Sequence, residues 1–229
     1  NFFKDRQRMQ TKKKKSSKQA QIEDYANQQL FVGVTRYDCC ILGCMLLNIA
    51  TKGSISSFET LGIKLAMARF NMESSRAGVI VGTCGTFGVM ALLSMGTLSR
   101  TFNDVQLISI GLLIMTTGIA SLEMLDNDGT NAPWRWWLAI FLIYAVGYPI
   151  GHTAVIGLFS KIVGRRKQGV YQGWFSSAGS LSRITFPIMS GYVFGYFGPV
   201  VLFYILICIL GTATLFVVWS REPLLTLSR

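Results

Sequence analysis

Charge is what this chain has least of. Only 14% of its 229 residues are charged and 11 are acidic, against 22 Lys and Arg. A soluble domain of this size carries about 25% charge, so the shortfall argues against a water-soluble globule. There is one histidine, His152, which excludes a centre built on several imidazoles. Cys39, Cys40, Cys44, Cys84 and Cys208 have neither zinc-site spacing nor paired loop positions, so they read as small buried hydrophobes. A Gly-rich phosphate loop closed by Lys-Ser/Thr is missing, as are a metal-ligand cluster and a nucleophile–base pair. Enzyme chemistry, a metal and a cofactor are therefore not expected. No signal peptide opens the chain, and its first residue is Asn1, so the expectation is a segment from inside a longer protein.

What the chain does have is apolar length. Hydrophobic residues make up 51% of the sequence, and the mean hydropathy is +0.42. They fall in blocks near the roughly 20 residues a membrane-crossing helix needs. Spans are expected at about 38–61, 77–98, 105–125, 136–158, 170–194 and 200–219. A basic segment (1–36) precedes them and a short tail (221–229) follows, with a Leu224-Leu225 pair that hints at endolysosomal sorting. The expected fold class is an all-α membrane protein of six transmembrane helices. Its first partner is the lipid bilayer, which accounts for the net charge of +11 without nucleic acid. Lys12–Lys15 suit a solvated linker and, beside a span, an anionic lipid surface. Trp134, Trp136 and Trp137 form a cluster of the kind found at the lipid–water boundary. Counted over the loops, sixteen Lys and Arg lie on the amino-terminal side and four on the other, with Lys52 and Arg183 inside the membrane. The positive-inside rule then puts both termini in the cytoplasm.

The fifth block carries the densest pattern. On a helix, Gly169, Gly173, Ser176, Ser180, Arg183, Pro187 and Gly191 share one face at steps of three or four. Small residues at that spacing admit a neighbouring helix backbone. An arginine at the centre of a span costs about 2.5–3.5 kcal/mol on insertion scales, so it should face a partner or a wet cavity. Lys52 and Arg183 lie at similar depth, roughly 20 Å in at 1.5 Å per residue. Two cations at one depth repel unless an anion or carboxylate sits between them. Glu59, two turns beyond Lys52, is the candidate switchable counter-ion, and Glu123 a second carboxylate. The alternative is a static Glu59–Lys52 or Arg183–Glu123 pair that only fixes packing. His152 offers protonation near neutral pH or a packing hydrogen bond. It follows Tyr148-Pro149, and Pro149 and Pro187 should bend their helices. Gly169 and Gly173 should serve close packing, with rocking of that contact as the sharper reading.

Several motifs resemble the major facilitator superfamily: Phe58-Glu59-Thr60, Gly147-Tyr148-Pro149, Ser160-Lys161-Ile162-Val163-Gly164 and Gln168-Gly169-Val170-Tyr171. Gly173-Trp174, Ser177-Ala178-Gly179-Ser180, Arg183-Ile184, Pro187 and Gly198-Pro199 continue the series. The likeness is closest to lysosomal members, with vacuolar phosphate transporters second. Three positions depart from the pattern. Arg165-Arg166-Lys167 stand where prolines are favoured, Lys64 replaces a proline, and the Gly96–Asp104 turn is a degenerate Gly-x-x-x-Asp-Arg loop. The resemblance implies the carboxy-terminal half of a two-half carrier, with the amino-terminal six-helix half as its partner and a site between the halves. It implies an endolysosomal membrane; with Lys52 and Arg183 buried in it, the expected function is secondary transport of a small, anionic solute by alternating access, with Tyr148 among the pathway residues. An anion channel, a vacuolar phosphate carrier and a non-transporting scaffold remain as alternatives.

Overall fold

The computed structural model describes residues 21, 24–31, 34–124, 133–164 and 168–228. Most of the basic leading segment and residues 125–132 and 165–167 lie outside them. Two short strands, β1 (Gln29–Phe31) and β2 (Val34–Thr35), pair antiparallel just ahead of the first helix. Every described element after them is a helix.

Helix α1 (Arg36–Phe70) begins at a capping box. The Asp38 amide donates to Thr35 Oγ1 at 3.3 Å and the Thr35 amide donates to Asp38 Oδ2 at 3.2 Å, which satisfies two amides that have no partner within the helix. The helix ends on Asn71, left-handed at φ 48°, a conformation Asn tolerates better than most residues. It therefore runs well beyond Leu61. Leu65, Ala66 and Phe70 stay buried while Lys64 is exposed, so these last turns keep one face on the protein. Helix α2 (Ser74–Thr101) and α3 (Asp104–Met124) are separated only by Phe102 and Asn103. Arg100 in the last turn of α2 and Asp104 in the first turn of α3 each oppose the local helix dipole favourably.

The fourth rod starts as α4 (Pro133–Ile140), passes through a π-helical stretch (Phe141–Gly147) and continues as α5 (Tyr148–Val163). Pro149 cannot donate to the carbonyl one turn back, and the wider π turns ahead of it take up that defect. The Trp cluster divides here: Trp136 is fully buried, while Trp134 and Trp137 are exposed.

Helix α6 (Gln168–Trp219) is 52 residues long, about 78 Å at 1.5 Å per residue. That is far more than a hydrocarbon core of roughly 30 Å. Gly198, at φ 83° and ψ 174°, breaks it. Only a residue without Cβ holds that conformation cheaply, and Pro199 is suited to restart a helix. The rod thus folds into two arms, 168–197 and 199–219, each of membrane length, and the chain is an all-α membrane protein. A short helix, α7 (Arg221–Leu227), closes the described chain. Its Leu224 is fully buried, so Leu224-Leu225 is a packing pair rather than a displayed sorting signal.

Helix α1 is the central post. Its Asn48 and Ser56 side chains reach backbone carbonyls of Phe175 and Arg183, both 127 positions further on. A constant offset means that α1 and the first arm run parallel. The second arm runs back. Phe58 stacks on Phe203 at 6.2 Å, whereas Gly43, earlier in α1, faces Phe216, later in the arm. The start of α1 and the end of the second arm therefore emerge on the same face. Helices α3 and α5 cross at Gly111 and Gly151, where a Cβ on Gly111 would lie 2.4 Å from Gly151 Cα. Phe159 stacks on Phe175 at 4.2 Å, tying α5 to the first arm. By contrast α2 buries only Ala77, Cys84 and Gly88, and turns Val79, Phe87, Val89, Met90 and Leu93 outward. Such an apolar exterior is what a bilayer solvent requires. Of the cysteines, Cys40, Cys44 and Cys84 are buried as expected, but Cys39 and Cys208 are exposed. They lie on outward faces where an apolar side chain meets no penalty in lipid.

A charged cleft between α1 and the first arm of α6

The parallel register brings a row of polar groups on α1 against α6. Asn48, Lys52 and Ser56 follow at steps of four and share a face. Their counterparts at the 127-residue offset are Phe175, Gly179 and Arg183. Asn48 Nδ2 donates to the Phe175 carbonyl at 2.7 Å, and Ser56 Oγ donates to the Arg183 carbonyl at 3.3 Å. Between these two anchors lies Lys52. A Cβ on Gly179 would sit 2.8 Å from Lys52 Nζ, from Lys52 Cδ and from Asn48 Nδ2. The absence of a side chain at 179 is what gives the Lys52 ammonium its berth.

One turn further along, Arg183 Nη2 meets Glu59 Oε1 at 3.4 Å. Both side chains are about half exposed, at 51% and 44%. A half-exposed pair at that length is weak, about 0–1 kcal/mol where water screens it. Of the two static pairings weighed for these groups, only the first can be read from the described residues. Glu59 pairs with Arg183 and not with Lys52, and the Glu123 side chain lies outside the described residues. Lys52 has no carboxylate partner among them.

Opposite this row stands α5. His152 is buried, its Nδ1 3.1 Å from Thr51 Oγ1, and its ring stacks on Tyr148 at 5.0 Å. Tyr144, in the π-helical stretch ahead of them, is half-buried. Pro149 is buried against Gly88 of α2, and Pro187 is half-buried within α6.

The small-residue face does not do what its spacing suggested. Gly169, Gly173 and Gly191 have nothing within 4 Å of a built Cβ, and Ser176 and Ser180 are exposed. Close approach to α1 occurs on the neighbouring face, at Gly179, and at Gly53 under the Phe186 ring. The stripe that carries Arg183 is open along its length.

The sequence profile described as Major Facilitator Superfamily matches residues 14–228. The chain belongs to the Major Facilitator Superfamily. It is a multi-pass membrane protein of a transporter family, and the charged face built by α1 and the first arm of α6 lies on a partial form of that fold. Among curated proteins it is similar to a Major facilitator superfamily domain-containing protein 8 from Xenopus laevis, 37% identical over 57 residues. That match covers 25% of this chain and 11% of the relative, so the chain matches only a small part of its length.

Sequence reasoning missed Asn48, Thr51 and Gly179. A signal for the first was present, since Asn48, Lys52 and Ser56 repeat at four-residue steps inside an apolar block. Gly179 stood out only within the Ser177-Ala178-Gly179-Ser180 motif, which says nothing of its part here, since that is set by which α1 residue lies across from it.

Proposed function

We propose that this superfamily member is a secondary transporter that moves a small anionic solute by alternating access, with the cleft between α1 and α6 forming one wall of its path. The observation that carries this reading is the half-exposed Arg183–Glu59 pair beside a Lys52 that has no carboxylate partner among the described residues. A guanidinium is too costly to leave against lipid, and a pair this long and open is poor structural glue. Arg183 and Lys52 bind the anion; Glu59 is its competitor for Arg183 and releases it when protonated. Tyr148 and His152 line the far wall, and Glu123 is a further carboxylate of the pathway. The open stripe Gly169–Gly173–Ser176–Ser180 is the surface against which the amino-terminal six-helix half of the same protein rocks, with Pro149 and Pro187 as the bends that let the arms pivot. The charge asymmetry of the loops supports cytoplasmic termini, and the partial likeness to a domain-containing protein 8 supports an endolysosomal membrane.

The test is uptake into proteoliposomes of the full-length protein, with an anion panel and an imposed pH gradient. Arg183→Ala should abolish saturable anion uptake at normal expression. Wild-type uptake by that variant would remove the pathway role.

A further inference from the structure

One nitrogen of His152 is engaged, and a threonine decides which of the two carries hydrogen. Thr51 Oγ1 lies 2.9 Å from the Leu47 carbonyl, 3.2 Å from the Asn48 carbonyl and 3.1 Å from His152 Nδ1. A hydroxyl has one proton and a carbonyl can only accept, so the proton goes back to α1, as is usual for threonine inside a helix. Oγ1 then turns its lone pairs toward the imidazole, and Nδ1 must be the donor. That fixes the Nδ1–H tautomer and leaves Nε2 a bare acceptor. Among the described residues Nε2 has no hydrogen-bond partner, and it is not one of the polar atoms sealed from their surroundings. A second acceptor sits one turn back on α1. Asn48 Oδ1 is buried without a partner among the described residues, and its amide is held the right way round because Nδ2 donates to the Phe175 carbonyl at 2.7 Å.

Both acceptors lie beside the cations. Asn48 Nδ2 and Lys52 Nζ approach the same point over Gly179. From the level shared by Asn48, Phe175 and Phe159, α1 advances to Thr51 while α5 steps back to His152, so α5 runs opposite to α1 and to the first arm. Seven residues from that level, about 10 Å at 1.5 Å per residue, α5 reaches His152 and the arm reaches Ser182, next to Arg183. Cations and unmet acceptors in one cleft ask for a solute that pairs negative charge with a neutral donor. A halide or nitrate brings no donor, and an ammonium meets the repulsion of Lys52 and Arg183. A hydroxyl attached to the anion satisfies both demands.

We infer that His152 Nε2 is a specificity-determining acceptor, and that the anion this cleft takes is a hydroxylated organic one, of the hydroxycarboxylate class. This rests on the proposed anion-transport reading and adds the substrate class. Arg183 holds the carboxylate through its forked donors, and the solute's hydroxyl donates to Nε2. Thr51 is a positioning residue, acting through the tautomer it imposes.

The experiment compares three monoanions on purified full-length protein at neutral pH: glycolate, methoxyacetate (the same anion with its hydroxyl capped by a methyl) and acetate. Nitrate serves as an anion without a donor. By calorimetry, wild type should bind glycolate at least about tenfold tighter than methoxyacetate, acetate or nitrate. Thr51→Val frees the ring to place its hydrogen on Nε2, so the preference for glycolate should fall several-fold, and Thr51→Ser should keep it. His152→Gln puts an amide that both donates and accepts near the position of Nε2, so methoxyacetate should come within about threefold of glycolate. Nitrogen-15 spectra of histidine-labelled protein, with the His152→Gln spectrum subtracted to assign the resonances, should show Nδ1 protonated and Nε2 bare. A ring protonated at Nε2, or equal binding of glycolate and methoxyacetate in wild type, would overturn this inference while leaving anion transport standing. So would binding of nitrate with no binding of glycolate. Folded protein that binds none of the four anions would overturn both readings.

Discussion

Gly179 offers the sharpest test of how the cleft is built. In Gly179→Ala the new methyl would lie 2.8 Å from three atoms, Lys52 Nζ and Cδ and Asn48 Nδ2. Two of these belong to the flexible end of a lysine, which can swing aside. The third cannot move freely, because Asn48 Nδ2 is held to the Phe175 carbonyl at 2.7 Å. Overpacking a tight contact costs about 1–3 kcal/mol, and Ala in place of Gly returns up to about 1 kcal/mol of helix propensity. The net loss of stability is then roughly 0–2 kcal/mol, small enough for the variant to fold. The loss of function should be larger, since the Lys52 ammonium leaves its berth. Anion affinity should fall about tenfold, equivalent to about 1.4 kcal/mol. Thermal unfolding in detergent and anion binding on the same preparation separate the two effects. The displacement should also be non-additive with Lys52→Ala, because once the lysine is gone the methyl has little left to disturb. Anion affinity unchanged in Gly179→Ala, or losses that simply add, would refute the idea that Gly179 positions Lys52.

Three further variants test the surroundings. Thr51→Val leaves the buried His152 Nδ1 without its hydroxyl partner and should cost about 1–3 kcal/mol in unfolding experiments, with Thr51→Ser restoring most of it. Gly111→Val drives a side chain into the Gly151 backbone, which has no flexible end to yield, so monodisperse protein should be lost on size-exclusion chromatography. Leu224→Ser removes a fully buried side chain worth about 1.5–3 kcal/mol from α7, and tail cleavage by trypsin after Arg221 should quicken.

Much of the fold was legible because a bilayer imposes length and polarity at once. Apolar blocks of about 20 residues had to be rods, and their all-helical, membrane-spanning class follows from backbone satisfaction alone. Helix ends were less legible. Lys64 read as a loop residue, yet α1 continues past it because Leu65, Ala66 and Phe70 keep a buried face. The break between the last two arms narrows to Gly198, a single residue in a backbone region only glycine enters easily. Within the site, Arg183 and Glu59 stood out because charge inside an apolar block is costly. The pairing itself, and the berth at Gly179, depend on the 127-residue offset between two helices far apart in sequence, and no local pattern encodes that offset. The small-residue stripe shows the opposite failure. Its spacing was read correctly, but spacing cannot say which partner fills it, and no described helix does.

The decisive measurement is solute protection at position 180, one turn from Arg183 on the same exposed face. With exposed Cys39 and Cys208 first replaced by Ala, Ser180→Cys in the full-length protein is treated with a charged, membrane-impermeant thiol reagent, with and without saturating anion. A water-filled path lined by this face predicts rapid labelling that bound anion slows at least several-fold, and the protection should vanish when Arg183→Ala is added. A thiol at 180 that stays unlabelled, or that labels at one rate whether or not anion is present, would contradict it.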